Sequence, residues 1–210
     1  MFFRIKITAI EENMINKTID YYNQNADLFV QGTIAVDFKK TQDKFLKLLA
    51  GKKILDFGCG SGRDTKYFME SGFDVAAIDG SEELCKSASV YTGIQVKHML
   101  FQNLDEEDQY DGIWACSSIL HLPKDELKIV LNKMSRALRA NGIIYTSFKY
   151  GNFEGERNGR FFTDFTLEIF KDFIKDVKSV VIEEYWITGD VRPGREDEKW
   201  LNLILRKTTF

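Results

Sequence analysis

The chain has few cysteines and prolines, and each shortage closes off a class of protein. Its three cysteines, Cys59, Cys85 and Cys116, are odd in number and have no paired spacing. That argues against a disulfide framework or a zinc site and fits a reducing cytoplasm. Two prolines, Pro123 and Pro193, and the absence of repeats or low-complexity tracts leave no linker at which to divide 210 residues. That length suits one domain with a full core. No apolar run approaches the roughly 18 residues that span a bilayer. The N-terminus begins MFFRIK, but Arg4, Lys6, Glu11 and Glu12 break any apolar core for a signal peptide. A net charge of −3, with no Lys/Arg stripe interleaved with aromatics, gives no electrostatic reason to expect nucleic acid as a partner. The remainder, 44% hydrophobic and 29% charged, is the composition of an ordinary globular protein.

Against this background residues 52–64, KKILDFGCGSGRD, carry the strongest signal. Ile54, Leu55 and Phe57 form the near-continuous apolar run of a buried parallel strand. Asp56 sits at its carboxyl end, where open α/β sheets bind ligands. Gly58, Gly60 and Gly62 let the backbone turn sharply and lie against a ligand with no Cβ in the way. A dinucleotide fingerprint, G-x-G-x-x-G, would need a third glycine where Arg63 stands. A second apolar run, from Val75 to Ile78, ends in Asp79, 23 residues after Asp56. The interval has room for one helix over about residues 65–70, stopped by Ser71-Gly72, and one strand. An acid at that place can accept hydrogen bonds from both ribose hydroxyls, which points to an adenosine-containing ligand without choosing among such ligands. Ser81 is the better N-cap for the next helix, with Glu82 and Glu83 in its first turn.

Elsewhere, residues up to about 50 read as helical, with Phe38, Phe45, Leu46, Leu48 and Leu49 as an amphipathic run ended by Gly51. Strands are expected at about 53–57, 74–78, 94–100, 111–116 and 143–148. The helix between the last two opens at Pro123, buries Leu127, Val130, Leu131, Met134 and Leu138, and closes at Asn141-Gly142. Such alternation implies a parallel sheet with helices on both faces. Residues 179–188 and 200–207 are β-rich with no helix between them, which predicts an antiparallel pair completing the sheet.

The acid-x-G-x-G-x-G frame from Asp56 to Gly62 resembles motif I of the class I S-adenosylmethionine (SAM)-dependent methyltransferases. YDGIWACSSILHLP, with Asp111 before the fourth strand and His121 after it, resembles that group's motif IV, and NGIIYTSFKYG the motif that follows. The chain is thus similar over most of its length to small bacterial-type members, the tellurite-resistance and ubiquinone-biosynthesis group. The resemblance implies an α/β, Rossmann-like class I methyltransferase fold. Its seven-stranded sheet would be mostly parallel with an antiparallel C-terminal strand, and helices would cover both faces. Residues 1–210 would form one domain, with 1–50 a helical lid and 51–210 the SAM-binding core. SAM is the implied cofactor, and methyl transfer to a small-molecule acceptor in the cytoplasm the implied activity. The cofactor residues carried over are Asp56, Gly58, Cys59, Gly60, Arg63, Asp79, Gly80, Ser81, Phe101, Gln102, Cys116 and, from the lid, Tyr22. Many members hold the adenine amino group with an acid after the third strand. Here Leu100 and Phe101 stand in that region, so stacking, backbone groups or Gln102 would take over.

Two segments are left for the acceptor. The lid offers Tyr21, Tyr22 and Asn23, whose aromatics could equally be core packing. A Gly-rich charged loop over residues 149–162 offers Arg157 and Arg160, which suit an oxyanion-bearing acceptor unless the loop is merely solvated surface. Arg192 and Arg195 lie in the C-terminal hairpin and would join them if it approaches the same mouth. Methyl transfer is an in-line displacement from an activated leaving group, so a base is needed only where the nucleophile must lose a proton. His121 is the base candidate by residue type, against a structural role near a helix start. His98 and Cys116 read as structure and small packing. A SAM-binding regulator without transferase chemistry stays open, as does, more remotely, an NAD-dependent oxidoreductase.

Overall fold

The computed structural model describes residues 9–208 except 193 and 196, with side chains from residue 14 onward. The opening MFFRIK and Pro193 therefore lie outside the described residues. Three helices lead in: α1 (Ala9–Gln24), α2 (Ala26–Thr33) and α3 (Lys39–Leu48). Strand and helix then alternate through β1 (Lys53–Phe57), α4 (Arg63–Glu70), β2 (Asp74–Asp79), α5 (Glu82–Thr92), β3 (Lys97–His98) and β4 (Tyr110–Ala115). After α6 (Lys124–Ala137) and β5 (Leu138–Lys149) come a hairpin, β6 (Glu154–Arg157) and β7 (Arg160–Thr163), then α7 (Leu167–Ile174), β8 (Val180–Gly189) and β9 (Lys199–Lys207).

Seven strands form one sheet in the order β3-β2-β1-β4-β5-β9-β8. β1 through β5 pair in parallel, and β9 runs antiparallel to both β5 and β8. Strand periodicity divides the core. Leu55, Ile113 and Ile144 face one side with Leu127, Val130 and Phe170 of the helices α6 and α7. Ile54, Trp114 and Tyr145 face the other with Phe45 of α3 and Phe68 of α4. Trp114 is fully buried and stacks on Tyr145 with ring centroids 4.0 Å apart. Truncating such a ring typically costs about 3–5 kcal/mol. Because the chain leaves β1 for β2 on one side and later returns to β4 on the other, a crevice opens at the carboxyl ends of β1 and β4.

The structure departs from the sequence expectations at four places. β3 is only two residues long, since Leu100 leads directly into a short 3-10 turn, Phe101–Asn103. α6 stops at Ala137, where Leu138 turns extended, and Asn141 takes its left-handed φ of 64° inside the following strand instead of capping the helix. The segment expected as a loop over 149–162 contains the β6–β7 hairpin, turned by Asn158 and Gly159 at φ 53° and 76°. Within the segment expected as a helical lid, Phe45 of α3 is buried against Phe68 and Trp114, so α3 lies in the sheet's helical layer, while residues of α1 and α2 line the crevice. No described helix is long and apolar enough to cross a membrane.

Candidate functional site

At the crevice lies one cavity of about 510 Å³, within the range of small-molecule sites. Its floor is the turn after β1. Gly58, Gly60 and Gly62 all have φ between 55° and 87°, and the amides of Gly58 and Cys59 both bond the Ile78 carbonyl at the end of β2. A Cβ on Gly58 would lie 2.5 Å from Ser118, and one on Gly60 2.8 Å from the Phe29 ring of α2. Side chains are thus barred where the backbone must face the cavity.

Asp79 ends β2 with one carboxylate oxygen accepting the Gly60 amide at 2.9 Å and the other the Ser81 amide at 2.8 Å. Burial raises its pKa, and those two amides pull it back. An ionised carboxylate has about four acceptor sites, so two remain for hydroxyl donors. Ser81 caps α5 by accepting the Leu84 amide, while its hydroxyl donates to Asn23 of α1 at 2.7 Å. His98 Nε2 donates to the Gly80 carbonyl and steadies this turn from β3.

Asp56 does not reach the cavity wall as expected of a cofactor residue. It is 1% exposed beneath the glycine turn and accepts the Thr65 hydroxyl at 2.5 Å. Burial first, then the charge of Asp64, raises it to about 8. Sequence reasoning passed over Asp64 itself, which lines the cavity. It accepts from Gln42 at 2.7 Å, from Trp114 Nε1 at 2.8 Å and from Arg63 at 2.8 and 2.9 Å. The available signal was an acid in the first turn of the helix that the glycines open. Asp64 locks Arg63 against the floor and ties the cavity to the Trp114 core. Cys59 and Cys116 are both on the wall, and burial pushes the Cys116 thiol up to about 12, so it stays protonated. Phe101 packs on Phe57 at 4.7 Å, and Gln102 donates its Nε2 to Glu126 of α6 at 2.5 Å, which turns its carbonyl oxygen away from that partner.

The far end is framed by α1, the hairpin and the β8–β9 connection. α1 is pinned to the hairpin where Thr18 accepts the Phe161 amide at 3.0 Å. Tyr22 lies between Arg160 Nη1 at 3.2 Å and His121 Nε2 at 2.8 Å, while His121 Nδ1 donates to the Phe161 carbonyl at 2.6 Å. Nδ1 therefore carries the proton, and Nε2 accepts the one from Tyr22. Burial lowers His121 to about 4, with Arg160 and Arg157 adding to the depression. As a base candidate His121 is thus neutral but weakly basic, and both of its nitrogens are engaged. Arg157, Arg160, Arg192 and Arg195 all line this end, so the C-terminal hairpin does approach the same mouth. Arg157 is clamped by Asp164, with contacts from 2.9 Å. Asp111, by contrast, accepts the Lys53 amide at the amino ends of the central strands β1 and β4 and does not line the cavity.

With this geometry in view, residues 54–142 match the family model described as a methyltransferase domain. The chain is 27% identical over 113 residues to the ubiquinone biosynthesis O-methyltransferase of Azoarcus sp. (strain BH72), covering 50% of this chain and 48% of that protein. It is 36% identical over 98 residues to the N-terminal Xaa-Pro-Lys N-methyltransferase 1 of Bos taurus, covering 43% and 44%. The match thus spans less than half the length of these curated relatives. In three dimensions the chain is similar to the 1,6-didemethyltoxoflavin-N1-methyltransferase of Burkholderia thailandensis, crystallised with 1,6-didemethyltoxoflavin and S-adenosylhomocysteine. The TM-score is 0.74 at 20% identity, over 97% of this chain and 92% of that one, a likeness of fold. The fold is that of the class I SAM-dependent methyltransferases, residues 54–142 are similar to their domain, and SAM is the cofactor of that class. The glycine cradle and the half-used Asp79 carboxylate fit such a ligand.

Proposed function

We propose that the protein transfers the methyl group of SAM to a small-molecule acceptor held in the arginine-lined end of the cavity. The observation that carries this reading is the continuity of one cavity from the glycine turn and Asp79 to Tyr22, His121 and the hairpin arginines, under α1. SAM, when bound, supplies a methyl group already activated on a sulfonium. The chain's residues then have to bind, align and exclude water.

Asp79 takes the ribose hydroxyls on its two spare acceptor positions. The turn from Gly58 to Gly60 admits the methionine end, with Cys59 and Cys116 as small neutral walls. Arg63, fixed by Asp64, offers its remaining donor face to a carboxylate. Phe101 and the oriented Gln102 flank the adenine, with Gly80 and Ser81 below. Asn23 and Tyr22 bring α1 down over both halves. Proton removal, where an acceptor needs it, passes through the Tyr22 oxygen to His121 Nε2. That path is weak for a ring depressed to about 4, so acceptors that are already nucleophilic at neutral pH are favoured.

The test has two stages. Calorimetry should give saturable binding of SAM and none of NAD, and a screen of small-molecule acceptors with SAM labelled in the methyl group should give labelled product. SAM binding with no transfer to any acceptor class, including peptides and RNA, would leave a SAM-binding regulator as the better description.

A further inference from the structure

The cations lining the acceptor end are not equivalent. Arg157 has Asp164 at 2.9 Å, Arg192 has Asp190 at 2.5 Å, Arg195 has Glu198 at 2.7 Å, and Lys149 also pairs with Glu198. At the other end Arg63 has Asp64 at 2.8 Å. Arg160 faces the same cavity and, among the described residues, has no carboxylate partner.

Its surroundings make that absence costly. The guanidinium lies 4.4 Å from the Tyr21 ring centroid, 5.1 Å from Phe162 and 5.6 Å from Tyr22. Among the described residues, Nε is shielded from solvent without an acceptor, and the only side-chain hydrogen bond is from Nη1 to the Tyr22 oxygen at 3.2 Å. A guanidinium has five N–H donors in a rigid fork. Three aromatic faces supply cation–π attraction but accept none of these donors in the plane of the fork. Arg160 is half-buried, and partial removal of water from a cation that has no counter-charge makes an arriving anion bind more strongly.

We propose that Arg160 is the seat for an oxyanion carried by the methyl acceptor, a carboxylate or a phosphate-type group, and that Arg157 is not. This rests on the methyltransferase reading above and adds the acceptor's chemical class. Arg157 has spent its fork on Asp164 and is stacked between Phe153 and Phe162, at 4.7 and 4.6 Å. Tyr22 cannot be the seat, because its proton is directed to His121; it holds Arg160 from behind and sets the plane of the fork. The oxyanion would be the group by which the acceptor is held in register, whether or not it is also the methylated atom.

The experiment is a titration of the thermal unfolding midpoint with inorganic phosphate and, separately, with acetate, at constant ionic strength made up with chloride. It is run with and without S-adenosylhomocysteine on the wild type, Arg160→Gln and Arg160→Lys. The wild type should show a saturable rise with at least one of the two anions. A response to phosphate alone or acetate alone supports the seat and names the group. Arg160→Gln should weaken half-saturation by at least tenfold, while Arg160→Lys, which keeps the charge and loses the fork, should fall between. An equal response in wild type and Arg160→Gln, or no saturable response in the wild type, overturns the proposal. If Arg160→Gln does not fold, an Arg160→Lys response identical to wild type overturns the claim of a fork. S-adenosylhomocysteine binding is read by calorimetry in the same samples. Its failure would sink the methyltransferase reading while the anion titration still judges the seat.

Discussion

Replacing Asp79 with asparagine tests the ribose assignment with almost no change of shape. In the wild type each carboxylate oxygen accepts one backbone amide, Gly60 at 2.9 Å and Ser81 at 2.8 Å. Asparagine keeps one oxygen and turns an NH₂ group against the other amide. One backbone donor is then orphaned in a site only 9% exposed. That should cost about 1–3 kcal/mol of stability, or roughly 2–12 °C in melting temperature for a chain of this size. The substituted group also loses an acceptor for one ribose hydroxyl. A charge-assisted hydrogen bond of about 1.5–3 kcal/mol corresponds to SAM binding weakened roughly tenfold to 150-fold. Circular dichroism melts would establish folding, and calorimetry would read the affinity at 25 °C. A folded variant that binds SAM within twofold of wild type would mean that Asp79 merely clasps the glycine turn.

Three further outcomes follow from the site. His121 is lowered from 6.5 to about 4 by burial, so its contribution to stability is complete above pH 6.5 and is lost as pH falls toward 4; His121→Gln should flatten that window in melts, and an unchanged profile would refute the buried neutral ring. Asp56 is raised from 3.8 to about 8, so its contribution is complete below pH 3.8 and is lost as pH rises through 8. Asp56→Asn should therefore gain on the wild type across that interval, and failure to gain would show a carboxylate ionised in place. Gly60→Ala puts a Cβ 2.8 Å from Phe29 and should displace α2, weakening SAM binding tenfold or more in a protein that still melts cooperatively; wild-type affinity would show that the close approach is unimportant.

The central strands were legible because β1 and β4 bury on both faces, and an apolar run such as Ile54–Phe57 has one physical use. Boundaries set by tertiary pairing were not. Nothing local says that β5 begins at Leu138, where it pairs with Tyr110 across a register shift, before Asn141 turns the chain. The β6–β7 hairpin did carry a signal, Asn158-Gly159 between alternating residues, which is the two-residue turn that fits the twist of paired strands. Its charges masked it as a loop. On the site, the glycines and Asp79 could be placed from the pattern alone, since each answers a local backbone need. The four arginines were visible as residues, but not their partners. Asp164, Asp190 and Glu198 lie between 2 and 7 residues from the arginines they clamp, and only the fold tells which guanidinium is left over.

That leftover charge has a consequence for turnover. On the reading that the acceptor's oxyanion is a carboxylate and is itself methylated, the sulfonium sulfur and the carboxylate react to give a neutral thioether and a neutral ester. A cavity that has excluded water favours such a step, because neither reactant charge is well solvated there and both vanish. The Arg160–oxyanion attraction, about 4 kcal/mol at 4 Å and an effective dielectric of about 20, is present before transfer and absent after it. Product would then leave a guanidinium that no longer holds it. If the methyl goes to another atom the oxyanion survives, and the product keeps its grip on Arg160. Product inhibition separates the two cases once an acceptor is in hand: a methyl ester at the seat should inhibit at least tenfold more weakly than the acceptor binds. A product that retains its anion should compete with the acceptor at comparable concentration. Inhibition by the esterified product as strong as acceptor binding would remove Arg160 from the step.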